Sequence, residues 1–276
     1  MTTRPTPLQR RIASRYGPWA VVTGASSGIG RALAEEIAGC GLNLVLIARR
    51  EAELVRLAAD LARRQGIATR VIAADLAEPS RVAAIMAETD DLDVGLLVAS
   101  AGFGTAGDVT ETDRVVELDM IDVNCGALFA TTQHFASRLA ARGRGGIILL
   151  SSLVAFQGVA RSANYAATKA YVQTLAEGLH RELAAKGVDV LASAPGPVDT
   201  GFAERAGMRL SGAATPAAVA RDTLAALGRR MTVRPTLRNK LLQGALAPLP
   251  RALRARILQQ VMAGMTAGIA RGPAGS

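Results

Sequence analysis

The chain has 276 residues, half of them apolar but only 3% aromatic, and carries a formal net charge of +9. That length suits one large α/β domain, read here as a single domain over 1–276, with a core of Ala, Val, Leu and Ile. Only three of the 32 basic residues are lysines, the arginines are scattered rather than striped, and no aromatic stacking platform accompanies them, so no nucleic-acid partner is expected.

Residues 1–18 are rich in Thr, Pro and Arg, lack the apolar run of a secretory signal, and read as a loose arm with a short helix over 8–14. Ala20, Val21 and Val22 make a buried strand, Gly24, Gly28 and Gly30 the turn after it, and residues from Arg31 a helix. Glycines let backbone approach a phosphate closely, and a new helix aims its unpaired N–H groups at the same place. The spacing is Gly-x-x-x-Gly-x-Gly, not the common dinucleotide fingerprint. Residues 42–47 form a second strand, apolar throughout as in sheets covered on both faces, and a helix over 50–65 stops at Gly66. A third strand over 70–74 ends at Asp75 and Leu76, Pro79 opens a helix, and 94–99 is a fourth strand. One long helical pattern covers 113–142; strands follow at 146–150 and 188–193, with a helix over 163–186 between them. A Gly-rich apolar stretch over 201–214 reads as a mobile lid. A helix over 216–228, a seventh strand over 231–234 and a helical tail from about 236 to 276 complete the chain. Strand and helix alternate, which demands a parallel sheet.

Cys40 and Cys125 have no metal-ligand spacing and suit a reducing, cytoplasmic setting; no metal is expected. No apolar run reaches the ~18 residues of a membrane span. Tyr165 and Lys169 are four apart on one helix face. An ammonium beside a phenol favours phenolate, and lowering a Tyr pKa by about 3 takes roughly 4 kcal/mol.

Together these residues resemble the short-chain dehydrogenase/reductase family over residues 17–200. The run Thr23-Gly-Ala-Ser-Ser-Gly-Ile-Gly30 is similar to its cofactor turn, Tyr165-Ala-Ala-Thr-Lys169 to its active-site signature, and Pro195-Gly-Pro-Val-Asp-Thr200 to its nicotinamide turn. The resemblance implies a Rossmann-type doubly wound sheet of seven strands in the order 3-2-1-4-5-6-7. It implies an oxidoreductase interconverting a carbonyl and an alcohol, with Tyr165 as general acid/base, Lys169 biasing it and holding the nicotinamide ribose, Ser152 polarising the substrate oxygen and Asn124 completing a proton relay. Cofactor contacts carry over to Gly24, Ser26, Ser27, Gly28, Ile29, Gly30, Asp75, Leu76, Ser100, Ala101, Gly102, Tyr165, Lys169, Pro195, Gly196, Val198 and Thr200. The end of strand 2 holds Ala48, Arg49 and Arg50 and no carboxylate, which favours NADP(H), with Arg49 on the 2′-phosphate and Arg50 its solvated neighbour.

Two departures stand out. Ala99-Ser-Ala-Gly102 replaces the family's Asn-Asn-Ala-Gly, and the C-terminal segment holds Arg234-Pro-Thr-Leu-Arg-Asn-Lys and a basic helix with Leu253, Ile257, Val261 and Met265 on one face. That stripe is read as packed on the domain or on a partner subunit, with a membrane-surface helix as the less favoured alternative. The resemblance also implies a homodimer or homotetramer through the helices at 113–142 and 163–186. Phe103, Leu153, Val154, Phe156, Val159, Phe202 and Met208 are expected to line a lipophilic substrate pocket. The alternative function is a non-enzymatic NADP(H)-binding sensor on the same fold.

Overall fold

A computed structural model describes residues 4–201, 213–236 and 248–266. Seven strands form one all-parallel sheet in the order β3-β2-β1-β4-β5-β6-β7: β1 (Trp19–Thr23), β2 (Asn43–Ala48), β3 (Thr69–Ala73), β4 (Val94–Ala99), β5 (Gly145–Leu150), β6 (Val188–Ser193) and β7 (Thr232–Val233). Every residue of β4 and β5 is buried, because helices cover both faces and parallel strands in such a sheet have no solvent side. On one face Leu33 and Ile37 of α2 (Gly28–Ala38), Leu54 and Leu61 of α3 (Glu51–Gln65) and Leu224 of α8 (Pro216–Ala226) share one core with the even-numbered residues of β1 and β2. On the other, Ile85 of α4 (Pro79–Ala87), Phe135 and Leu139 of α6 (Leu128–Arg142) and Val172 and Ala176 of α7 (Ala163–Ala184) share a second core with Val21, Val45 and Leu97.

The expected strand order holds, and three local features differ from the expectations drawn from the sequence. The long helical pattern is interrupted: α5 (Arg114–Ile121) runs into a π-helical turn, Asp122–Ala127, before α6. Asp122, Asn124 and Gly126 are weak helix formers, and the wider turn frees Asn124 to reach the backbone of another segment. The seventh strand is only two residues long. The stretch read as a lid lies almost wholly outside the described residues, though its flanks are tied by a parallel bridge between Val198 and Ala214.

The third difference is at the start of the chain. The segment expected to be loose is a docked helix, α1 (Pro7–Tyr16), with a capping box between Thr6 and Gln9. Ile12 and Tyr16 are wholly buried, and the Tyr16 hydroxyl donates to Asp189 Oδ2 at 2.8 Å. Arg11 donates to the Leu224 and Leu227 carbonyls at the end of α8. Burial and the Asp189 charge push the Tyr16 phenol pKa up, so the hydroxyl remains a donor throughout the physiological range.

The helix is therefore part of the core. Tyr16→Ala is expected to cost about 3 to 5 kcal/mol by urea unfolding, in line with buried aromatic truncations, and Tyr16→Phe roughly 1 kcal/mol. A loose arm would leave both midpoints where they are.

Candidate active site

The functional residues anticipated from sequence gather along the C-terminal ends of the strands, around the place where strand order reverses between β1 and β4. Open α/β sheets bind ligands in that crevice. Gly24 has φ +70°, and a Cβ there would lie 2.9 Å from the Ala101 Cα and N. A Cβ on Gly30 would strike the Gly24 carbonyl oxygen. Both positions thus require glycine for close backbone approach. Thr23 Oγ1 accepts hydrogen bonds from the Ser100 and Ala101 N–H groups at 3.1 and 3.0 Å, fixing the segment after β4 against the turn after β1. The Ser100 hydroxyl lies against Gly30, 3.1 Å from where its Cβ would stand.

The N-terminus of α2 is open. Ser27 occupies the cap position but makes no side-chain capping bond, so the first N–H groups, those of Gly28, Ile29 and Gly30, have no side-chain acceptor from the cap. With the positive end of the helix dipole, that donor set and the glycine cradle fit a pyrophosphate. Across the crevice the Pro195–Thr200 turn approaches: Thr200 Cγ2 lies 3.1 Å from the position of a Gly28 Cβ. Pro195 accepts a hydrogen bond from the Leu153 N–H at 2.9 Å, Gly196 follows it, and Val198 anchors the turn through its bridge to Ala214.

At the outer edge, Arg50 Nη2 donates to Ser26 Oγ at 3.1 Å, while Arg49 Nη1 pairs with Asp75 Oδ2 at 3.6 Å. Arg50, expected as the solvated neighbour of Arg49, is exposed, and its guanidinium also reaches the glycine turn through Ser26. Asp75 also accepts from the Ala77 N–H at 3.0 Å, and Leu76 beside it is buried.

Asn124, 1% exposed, accepts from the Phe103 N–H and donates to the Phe103 carbonyl and to Thr168 Oγ1, all within 3.1 Å. A Cβ on Gly102 would stand 2.7 Å from its Oδ1 and 3.5 Å from Lys169 Nζ. Thr168 and the Phe103 backbone are partners that sequence reading missed, since no spacing links residues 103, 124 and 168. Glu117 is another: its carboxylate accepts from Thr105 Oγ1 at 2.6 Å and Asn164 Nδ2 at 2.7 Å, clasping the loop after β4 to the residue before Tyr165.

Ser152 follows β5 and caps the 3-10 turn Leu153–Phe156, its Oγ accepting from the Val154 N–H at 3.3 Å. Its hydroxyl also hydrogen-bonds the Tyr165 phenol. Lys169 is 6% exposed; its Nζ donates to the Leu150 carbonyl at 2.8 Å and lies 5.8 Å from the Tyr165 ring centroid. Burial pushes the Tyr165 phenol up to about 12, opposed by the Ser152 hydrogen bond, and pushes the Lys169 ammonium down to about 8. The simple expectation that Lys169 lowers the Tyr165 pKa is therefore not met in the protein alone. Both groups lose hydration in the same low-dielectric place, which disfavours both charged forms. Val159, expected in the substrate pocket, is 2% exposed and belongs to the packed interior; Phe103, Leu153, Val154 and Phe156 are half-buried, and Phe202 and Met208 lie outside the described residues. Among the described residues no group of three or more His, Cys, Asp and Glu side chains could hold a metal ion, and no helix is long and apolar enough to cross a membrane.

The Lys169 shift has a thermodynamic signature. An unfolded lysine keeps its proton up to about 10.4, whereas the folded one releases it near 8, so between those values the unfolded state binds more protons and stability rises with pH. Wild type minus Lys169→Met is expected to show that rise, up to about 3 kcal/mol, across roughly pH 8 to 10 in urea melts. A flat difference would mean that Lys169 titrates normally.

Residues 18–209 match the family model for short chain dehydrogenases. The chain is 31% identical over 179 residues to a 7β-hydroxysteroid dehydrogenase of Collinsella aerofaciens, covering 65% of this chain and 68% of that protein. A solved structure from a study of 7β-hydroxysteroid dehydrogenase stereoselectivity superposes with a TM-score of 0.83 at 27% identity, over 90% of this chain and 98% of that one. A short-chain dehydrogenase from Sphingobium yanoikuyae, solved in complex with NADPH, superposes with a TM-score of 0.75 at 30% identity, over 94% and 99%. A matching family model over most of the chain, and the same fold in relatives that share a quarter to a third of their residues with it, establish that this chain belongs to the short-chain dehydrogenase/reductase family and is an oxidoreductase acting on CH–OH donors.

Proposed function

We propose that the chain is an NADP(H)-dependent oxidoreductase that interconverts a carbonyl and an alcohol on a lipophilic small molecule, with Tyr165 as general acid/base. The observation that carries this reading is the Ser152 hydroxyl on the Tyr165 phenol, with the buried Lys169 one turn further along the same helix. When bound, the nicotinamide dinucleotide supplies or accepts the hydride. The chain's own residues do the rest. The glycine turn and the N–H groups of Gly28, Ile29 and Gly30 bind the pyrophosphate, and Arg49, Arg50 and Ser26 surround the 2′-phosphate with charge-assisted donors. The 195–200 turn and Ser100, Ala101 and Gly102 line the floor.

Ser152 donates to the substrate oxygen as negative charge develops there. Near neutral pH the Tyr165 phenol is protonated, and so ready to give its proton to that oxygen. Lys169, still largely charged below about 8, favours the phenolate left behind, and Asn124 keeps the 102–103 segment against Lys169. The half-buried Phe103, Leu153, Val154 and Phe156 favour an apolar substrate body. The two thiols, free in this structure, suit a reducing cytoplasm. The rival reading, a sensor that binds NADP(H) without turnover, predicts binding alone.

Val115, Leu118 and Ile121 on α5, Phe129 on α6 and Tyr171 on α7 are large apolar side chains left 39% to 65% exposed. A patch of that kind is uncommon on a monomer, and it supports a symmetric homodimer or homotetramer through these helices. Light scattering is expected to give a multiple of the 28.6 kDa chain mass, and a monomer at working concentration overturns the assignment.

The functional test follows NADPH absorbance against ketones, aldehydes and 3-oxoacyl thioesters. Tyr165→Phe is expected to lower kcat by about 10²- to 10⁴-fold while NADPH binding, read by fluorescence titration, persists. Arg49→Ala and Arg50→Ala should each weaken NADPH by about 10- to 150-fold and scarcely affect NADH. Full turnover by Tyr165→Phe would sink the mechanism, and an unchanged NADPH to NADH ratio in both arginine variants would sink the cofactor assignment.

A further inference from the structure

Arg234, in the first position after β7, is a half-buried cation whose Nε finds no acceptor among the described residues. Its Nε is buried and unpartnered, and among the described residues the guanidinium makes no ion pair. Beside it is the face of Phe156, 4.6 Å from the guanidinium carbon to the ring centroid. Glu177 acts on it only through space; that carboxylate accepts from Gln173 Nε2 at 2.8 Å. Arg11 and Arg142 also each bury one nitrogen without an acceptor, but their guanidinium groups, like those of Arg70 and Arg138, donate through other nitrogens to backbone or carboxylate oxygens. A guanidinium presents five donors in a rigid fork, and burying it without an acceptor is costly. Such a group is set for an acceptor that arrives with a ligand.

Its position says which ligand. The Ala194 N–H donates to the Val233 carbonyl and the Leu153 N–H to the Pro195 carbonyl, both at 2.9 Å, so Arg234 is joined to the Ser152 turn through the ends of β6 and β7. Thr232, two residues earlier, accepts from Gln173 of α7 at 2.8 Å, and Glu177, one turn further along that helix, is the carboxylate that acts on Arg234. Arg234 therefore shares the α7 side of the sheet with Tyr165. Two strand spacings separate the ends of β5 and β7, on the order of 10 Å, and Phe156 spans the interval.

We infer that Arg234, backed by the Phe156 ring, is a subsite for a carboxylate borne by the substrate on the order of 10 Å from its reacting carbonyl. The inference deepens the carbonyl reductase reading and rests on it. The aromatic face holds the guanidinium plane and leaves the edge, where the N–H groups lie, for a bidentate partner. The substrate class is then a lipophilic oxo acid, held at one end by charge and at the other by Ser152 and Tyr165.

The test compares a methyl ketone carrying a terminal carboxylate about eight bonds away, which spans about 10 Å when extended, with its methyl ester. Both are assayed with NADPH on wild type, Arg234→Gln and Arg234→Lys, and each protein's mass is followed by light scattering. Wild type is expected to favour the acid by about 10- to 100-fold in kcat/KM, mostly through KM. Arg234→Gln should bring the acid-to-ester ratio close to one, and Arg234→Lys should restore part of it. A ratio near one in wild type overturns the subsite, as does a ratio that survives in Arg234→Gln or a variant whose only change is its oligomeric mass. If neither compound turns over, the oxidoreductase reading fails on this substrate class. The subsite is then decided by thermal shift with NADPH present: stabilisation by the acid over the ester, lost in Arg234→Gln, supports it, and equal shifts overturn it.

Discussion

The structure depends on how closely the backbone after β4 approaches the backbone after β1. Gly24 and Ala101 meet with no room for a side chain between them, and Thr23 secures the contact by accepting two N–H groups from the opposite segment. That contact sets the width of the crevice. It brings Gly102 against Asn124 and Lys169, and so links the glycine turn to the helix that carries Tyr165 and Lys169. Ser100 stands where the family commonly has Asn, and its smaller hydroxyl still packs on Gly30.

The chemistry is placed where water is scarce, and this shapes both titrating groups. Lys169 and Tyr165 are each pushed toward neutrality, so neither carries its charge cheaply in the protein alone. An active site of this sort stores its bias in desolvation. A charge or hydroxyl brought by a ligand then changes the proton balance much more than it would at an exposed site, because the surrounding dielectric is low.

Most of the sheet was legible from sequence because parallel strands buried on both faces are short apolar runs bounded by glycine or polar turns. The turns that follow β1, β2, β3, β4, β5 and β6 were legible for the same reason, since each begins where an apolar run stops. What escaped detection was set by partners distant in sequence. Ile12 and Tyr16 look unremarkable in an Arg-rich segment, and only the sheet reveals them as core. The π turn at Asn124 does not alter the apolar period enough to be seen in one sequence, and its cause, the Phe103 backbone, lies 21 residues away. Arg50 was distinguishable from Arg49 only once the chain direction after β2 placed it over Ser26. The mutual desolvation of Tyr165 and Lys169 is likewise a property of packing, which a four-residue spacing does not encode.

The docking of α1 bears on the order in which the molecule is made. Tyr16 closes on Asp189, 173 residues later, and Arg11 on the end of α8, more than 210 residues later. Loops of that length are slow to close and gain nothing until they do. During synthesis the first helix leaves the ribosome with its apolar side uncovered and waits for nearly the whole sheet to emerge. Its capping box at Thr6 and Gln9 gives it local means of holding its shape in the interval. α1, which precedes the sheet in the chain, is thus made before it and finished after most of it.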